Sequence, residues 1–198
     1  MRLAHHGHNL DHSREDVRRC LDVRRHKPLA VLSGRGDDAM SQILRPDADI
    51  NKAWYASAVG ARFSCIDETT ADDADYIWAN ADSYQEVGLT APGETPGSGN
   101  CTLRIRASRV MEAEGTVLTV TTRMGGTVVD TATYNALAFT MATLEKTIAS
   151  SSFTDWTDIR VRFAVSLGGK TEIFKVSWCE LEVPDASPPA GLEMGMMF

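Results

Sequence analysis

From Met40 onward, apolar and polar residues alternate with a period of two. Cys101, Leu103, Ile105 and Ala107 alternate with Thr102, Arg104, Arg106 and Ser108. Ile159, Val161, Phe163 and Val165 alternate with Arg160, Arg162 and Ala164. Successive side chains of a β-strand point to opposite faces, so each run predicts a strand with one buried and one wet face. Residues 116–134 read as a hairpin around Gly125-Gly126. Two registers compete there. A two-residue loop pairs Met124 with Thr127 and Val120 with Thr131. A three-residue loop pairs Met124 with Val128, Val120 with Ala132 and Leu118 with Tyr134. The second gathers the larger apolar side chains on one face, so burial favours it, with a longer turn and a glycine at positive φ.

Residues 173–183 do not alternate cleanly. Phe174, Val176 and Trp178 share one parity, and Cys179, Leu181 and Val183 share the other. A β-bulge near Trp178 reconciles them; without it Trp178 points outward as a contact residue. Weaker strand patterns fall near 41–45, 60–67, 76–78, 84–89 and 137–144. Residues 92–99, rich in Pro and Gly, form a long turn, and 150–155 a loop or helical turn. Many short strands joined by Gly, Pro and Asp turns predict an all-β chain folded as an antiparallel β-sandwich.

The sandwich is expected over 40–184. Residues 1–39 read as an arm, with a short helix capped by Ser13, and 185–198 as a short tail ending Met194-Gly195-Met196-Met197-Phe198. Hydrophobic residues are 43% of the 198, enough for a core, and no stretch has the length of a membrane span. The net charge of -7 is uneven: 1–39 carries +2 and the remainder -9. An acidic body repels phosphate, so no nucleic-acid partner is expected, and no membrane partner either. The four cysteines, Cys20, Cys65, Cys101 and Cys179, contain no CxxC pair and are expected to be free thiols.

Catalytic signals are poor. There is no GxSxG, P-loop or HExxH, and all five histidines lie between His5 and His26. Asp67, Glu68, Asp72, Asp73 and Asp75 cluster in sequence. They read first as a solvated acidic loop, and otherwise as a structural Ca²⁺ site or a glycosidase pair. No cofactor beyond such calcium is expected.

Trp54, Tyr55, Tyr76, Trp78 and Tyr84 are the candidate glycan contacts, because sugars stack on exposed aromatic faces. Trp156 is expected to plug the sandwich end. Arg104, Arg106, Arg160 and Arg162 all alternate away from the apolar face. If their strands are neighbours they form a basic stripe, with Glu180 and Glu182 as partners, serving as a charged solvent face or a subunit contact. Met194, Met196, Met197 and Phe198 are candidate assembly contacts, apolar anchors for a neighbour's groove.

Two closing segments, Asp155-Trp156-Thr157-Asp158-Ile159-Arg160-Val161-Arg162-Phe163 and Val176-Ser177-Trp178-Cys179-Glu180-Leu181-Glu182-Val183-Pro184, resemble a module of tailed-bacteriophage virion proteins. Leu44-Arg45-Pro46-Asp47-Ala48-Asp49, Ile66-Asp67-Glu68, Asp72-Asp73-Ala74-Asp75-Tyr76-Ile77 and Thr102-Leu103-Arg104-Ile105-Arg106 extend the resemblance over residues 41–184. It implies a jelly-roll-like β-sandwich, similar to carbohydrate-binding modules, displayed on a virion. The expected function is therefore that of a non-enzymatic virion structural protein: a capsid decoration, head fibre, or tail or adsorption component. Its partners would be other virion proteins and copies of itself. The alternative is a module that binds a host-surface glycan.

Overall fold

The computed structural model describes residues 41–111 and 113–186. Eleven strands account for most of them: β1 (Ser41–Leu44), β2 (Pro46–Lys52), β3 (Tyr55–Ala56), β4 (Ile77–Ala79), β5 (Ser83–Leu89), β6 (Asn100–Arg109), β7 (Val117–Met124), β8 (Thr127–Tyr134), β9 (Ala142–Ala149), β10 (Ile159–Ser166) and β11 (Phe174–Pro184). The helical pieces among the described residues are two 3-10 turns, Phe63–Cys65 and Ser150–Ser152. The first sheet has the order β3-β4-β11-β6-β9, with β1 also on β11; the second has the order β2-β5-β10-β7-β8. Neighbouring strands in both are antiparallel. The described residues form the expected all-β sandwich.

The core lies between the sheets. Ile77, Leu103, Ile105, Phe174, Val176, Cys179 and Leu181 fill it from the first sheet, and Val87, Leu118, Val120, Ile159, Val161 and Phe163 from the second. These are the apolar members of the alternating runs, so the period-two pattern is the direct cause of the layering. Cys65, Cys101 and Cys179 are buried free thiols. Burial pushes the Cys101 thiol up to about 11, so it packs as a small hydrophobe and is unreactive.

The bulge in β11 is present, with a register shift between Val176 and Trp178 against β6. The extra residue lets Phe174 and Val176, then Cys179, Leu181 and Val183, all face the core. Trp178 is left opposite Arg106 on the outer face. The hairpin combines the two competing registers. Met124 pairs with Thr127 across a two-residue turn with Gly125 at φ 54°, while Val120 pairs with Ala132 and Leu118 with Tyr134. A bulge between Thr122 and Arg123 connects them. The longer turn is thus corrected: the extra residue enters the strand, where it restores apolar burial without lengthening the loop.

Two strand expectations fail, and one strand has no counterpart among them. Residues 60–67 form no strand, because both Asp49 carboxylate oxygens accept backbone N–H groups there, from Arg62 and Phe63 at 2.9 Å each, and pull the segment into a 3-10 turn. β2 was hidden in the polar run 46–52, since an edge strand with two register shifts need not alternate. The strand expected at 137–144 lies at 142–149, where Ile148 is buried and Leu144 packs against the core.

Candidate functional site

Three of the five glycan-contact candidates converge. β3 pairs with β4 so that Tyr55 stands opposite Trp78, and β4 pairs with β11 so that Trp78 stands opposite Lys175. Ile77 and Ala79 point inward, which turns Trp78 to the outer face of the first sheet. The Tyr55 and Trp78 rings stack at 4.5 Å between centroids and 25° between planes. Lys175 Nζ sits 4.3 Å from the centre of the Tyr76 ring. Tyr55 is 53% exposed. The result is an aromatic ledge on a sheet edge: a supported stack with its outer ring open to solvent. Such a surface packs against the C–H face of a sugar ring.

The other two candidates lie elsewhere. Trp54 is 1% exposed and packs in the core against Phe163, with centroids 6.1 Å apart, so its assignment as a glycan contact is corrected. Its neighbour Tyr55 faces out because strand residues alternate. Tyr84 sits on β5 in the second sheet, where the Arg162 guanidinium covers its ring at 4.2 Å.

The basic stripe does not form, because β6 and β10 belong to different sheets. Arg104 and Arg106 occupy the outer face of the first sheet. Arg104 bridges Glu145, Glu180 and Glu182 at 3.0, 3.2 and 2.6 Å. Arg106 binds Asp73 through two bonds of 2.6 and 2.7 Å. On the second sheet, Arg160 holds Asp158 at 2.6 and 2.7 Å, and Arg162 holds Glu86 at 2.6 Å. All four guanidinium groups are engaged within the domain. Met194, Met196, Met197 and Phe198 lie outside the described residues, as do the histidines.

The acidic segment does not assemble a metal centre: among the described residues no three His, Cys, Asp or Glu side chains converge as ligands. The calcium candidates are spread over separate tasks. Asp73 accepts from Arg106 and from Ser177 Oγ at 3.0 Å, and the Arg106 hydrogen bonds hold its carboxyl below the usual range. Asp72 caps the Ala74 N–H at 2.9 Å, and Asp75 accepts from Ser57 Oγ at 3.5 Å. Burial pushes the Asp67 carboxyl up. The segment is latched over the outer face of the first sheet. The Glu68 carbonyl accepts from Trp178 Nε1 at 2.8 Å and from Arg45 Nε at 3.2 Å, and the Cys179 N–H bonds the Ile66 carbonyl at 3.0 Å.

Glu68 is the perturbed group. Its Oε2 is buried with no hydrogen-bond partner. Burial first, then the charges of Asp67, Asp75 and Asp72, push its carboxyl up to about 7 from 4.5. The folded state therefore keeps a proton that the unfolded chain loses. The stability this supplies is full below pH 4.5 and falls away as pH rises to about 7. Glu68 as a whole residue is only partly buried, so solvent screening reduces the effect to about 1 kcal/mol. Glu68→Gln should raise Tm by about 2–4 °C at about pH 8 and leave it unchanged at about pH 4, as read by thermal melts. Equal shifts at both would exclude the titration.

No model of a known family matches the chain, and no curated protein matches it. Several solved structures are similar in architecture. A family 35 carbohydrate-binding module from Clostridium thermocellum is 12% identical, over 72% of this chain and 98% of that module, with a TM-score of 0.44. A CBM6 from the Cellvibrio mixtus lichenase 5A, solved with cellotriose, is 14% identical over 74% and 98%, with a TM-score of 0.39. The C-terminal CBM6 of a marine laminarinase from Zobellia galactanivorans is 12% identical over 72% and 98%, with a TM-score of 0.42. At such values no ligand carries over from those modules, and the fold is argued from this chain's own strand order. The resemblance to tailed-phage virion proteins receives no support from these comparisons.

Proposed function

We propose that the domain is a non-catalytic glycan-binding module that holds sugar on the Tyr55–Trp78 ledge. The observation that carries this reading is the stack itself: one ring supports another on a sheet edge, and the outer ring is open. A rigid pair of aromatics presents a large apolar surface at low conformational cost, which suits a ligand with one C–H face and a rim of hydroxyls. The non-catalytic part of the proposal draws on the acidic segment. Asp73 is spent on Arg106, and the Glu68 Oε2 is buried without a hydrogen-bond partner. The test is a glycan array together with binding to lipopolysaccharide. Trp78→Ala and Tyr55→Ala should each weaken binding by about tenfold, the worth of one lost stacking contact. Sugar release by the wild-type chain, abolished by Asp72→Asn or Asp73→Asn, would make the domain an enzyme instead.

The sequence resemblance of residues 41–184 favours a second reading: the sandwich as a structural part of a phage particle, assembled with other virion proteins and copies of itself. Its ordered scaffold and internally satisfied charged faces suit inert building material. Electron microscopy of purified particles with a labelled chain tests it; a chain absent from the particle removes this reading and leaves the glycan proposal standing.

A further inference from the structure

The Tyr55–Trp78 ledge lies at the end of the sandwich where β4 meets the start of β11. At the opposite end, the loop after β5 and the loop before β10 border a shallow, open cleft of about 310 Å³. Its lining includes Pro92, Glu94, Thr95, Pro96, Trp156 and Thr157. Trp156 does pack toward the core, stacking on Phe153 at 4.5 Å and 26°, but it also forms a wall of this cleft.

The walls are fixed independently of any ligand. The Gln42 side-chain amide donates to the Glu94 carbonyl at 3.2 Å and accepts the Glu94 N–H at 3.0 Å, a two-way clamp that involves only the Glu94 backbone. The Gly97 N–H bonds the Pro184 carbonyl at 2.8 Å. A Cβ at Gly97 would lie 2.1 Å from the Asp185 carbonyl oxygen, so this close approach of two backbones requires glycine. On the other side, the Asp155 carboxylate accepts the Thr157 N–H at 2.8 Å and its hydroxyl at 2.7 Å. The Asp155 N–H points to Met124 Sδ at 3.0 Å. These contacts hold the turn that carries Trp156.

From this geometry we infer that the Trp156 cleft is a second ligand site, for a neutral pyranoside of one or two sugar rings. The site is a shallow, largely open groove held on both sides, which suits one or two rings lying against its wall rather than a ligand enclosed by it. Its lining is two-sided in chemistry. Trp156, Pro92 and Pro96 present an apolar wall for the C–H face of the ring. Glu94 and Thr95 present an acceptor and a hydroxyl for its rim, while the Thr157 hydroxyl, which donates to Asp155, is left as an acceptor. An acceptor-only carboxylate takes hydroxyl hydrogens from neighbouring positions of a sugar. It also repels a uronate or sulfate, so the site discriminates by charge.

The test titrates the full chain with methyl β-glucoside, methyl β-galactoside and methyl N-acetyl-β-glucosaminide, with galacturonate as the acidic control. Saturation-transfer NMR and tryptophan fluorescence report binding. At least one neutral glycoside should bind, and Trp156→Ala should weaken it by about tenfold. Glu94→Gln, at an exposed side chain outside the core, should also weaken it several-fold while leaving the melting temperature unchanged. Trp78→Ala should leave this binding intact. The inference is overturned if no neutral glycoside binds, if Glu94→Gln has no effect, or if galacturonate binds as well as the neutral sugars. Binding lost in Trp78→Ala and Tyr55→Ala but kept in the cleft variants would refute the cleft alone and leave the ledge in place.

Discussion

Replacing Glu172 by alanine is expected to destabilise the domain by about 3–5 kcal/mol, lowering Tm by about 10 °C. Glu172 is 0% exposed, just before β11. Its Oε1 accepts the N–H groups of Met111 at 2.8 Å, Ile173 at 2.9 Å and Val110 at 3.3 Å, and its Oε2 accepts that of Ala113 at 3.4 Å. One carboxyl group thus accepts from four backbone N–H groups; that of Val110 also bonds the Ile173 carbonyl at 3.0 Å, so those of Met111, Ile173 and Ala113 depend on Glu172 most. Alanine removes the carboxylate acceptor from all of them at once, leaves only the Val110 N–H with another partner, and opens a void where a fully buried side chain stood. Glu172→Gln keeps one carbonyl oxygen and should cost less, about 1–2 kcal/mol. Urea denaturation with an unchanged m-value separates a stability loss from a change of state. An alanine variant within about 0.5 kcal/mol of wild type would show that water replaces the carboxylate and that the segment is not sealed.

Nothing in the sequence marks Glu172, because its partners are backbone groups and carry no residue signature. The strands were legible where burial is one-sided. In β6 and β10 the inward positions along the alternating run are apolar and the outward ones polar except Ala164, so the pattern states both the element and its facing. β2 escaped notice for the opposite reason: as an edge strand with two register shifts it needs neither apolar residues nor strict alternation. The arginine pairs show a third limit. Alternation placed Arg104, Arg106, Arg160 and Arg162 outward, but strand order decides which outward face, and strand order is non-local. Two strands with the same pattern fall in different sheets, and the expected stripe divides into two separate networks.

Those networks also limit what the sheet faces can do. On the second sheet, the Glu86 side chain is 4% exposed and Arg123, Arg160 and Arg162 surround it at 3.9, 3.5 and 2.6 Å. On the first, Glu180 is held by Arg45 and Arg104 at 2.9 and 3.2 Å. Charges paired within the domain have little left to offer a ligand, and they discourage adventitious strand pairing at the faces' edges. The proposed recognition therefore falls to the aromatic ends of the sandwich, where the Tyr55–Trp78 and Phe153–Trp156 ring pairs stack.

That division between core and surface aromatics can be tested at adjacent residues. Trp54→Ala is expected to cost about 3–5 kcal/mol, a large share of the roughly 5–15 kcal/mol that holds a domain together. Trp54 fills the space beside Phe163, its N–H lies 3.4 Å from Gln85 Oε1, and its carbonyl accepts from Arg62 Nε at 3.1 Å. The backbone bonds survive substitution, so the loss is that of the ring and the cavity it leaves. Because Trp54 Nε1 has no hydrogen-bond partner, Trp54→Phe sacrifices no polar contact and should cost only about 1–2 kcal/mol. Trp78→Ala, on the outer face of β4, should change stability by about 1 kcal/mol or less while it weakens binding at the ledge by about tenfold. Thermal melts and glycan titrations on these three variants give opposite orders: Trp54→Ala worst for Tm, Trp78→Ala worst for affinity. A Trp54→Ala protein that melts like wild type and yet no longer binds sugar would make Trp54 a contact residue and remove the ledge as the site. Burial of the ring predicts the reverse, with any loss of binding by Trp54→Ala matching the fraction of unfolded chain and disappearing when the temperature is lowered.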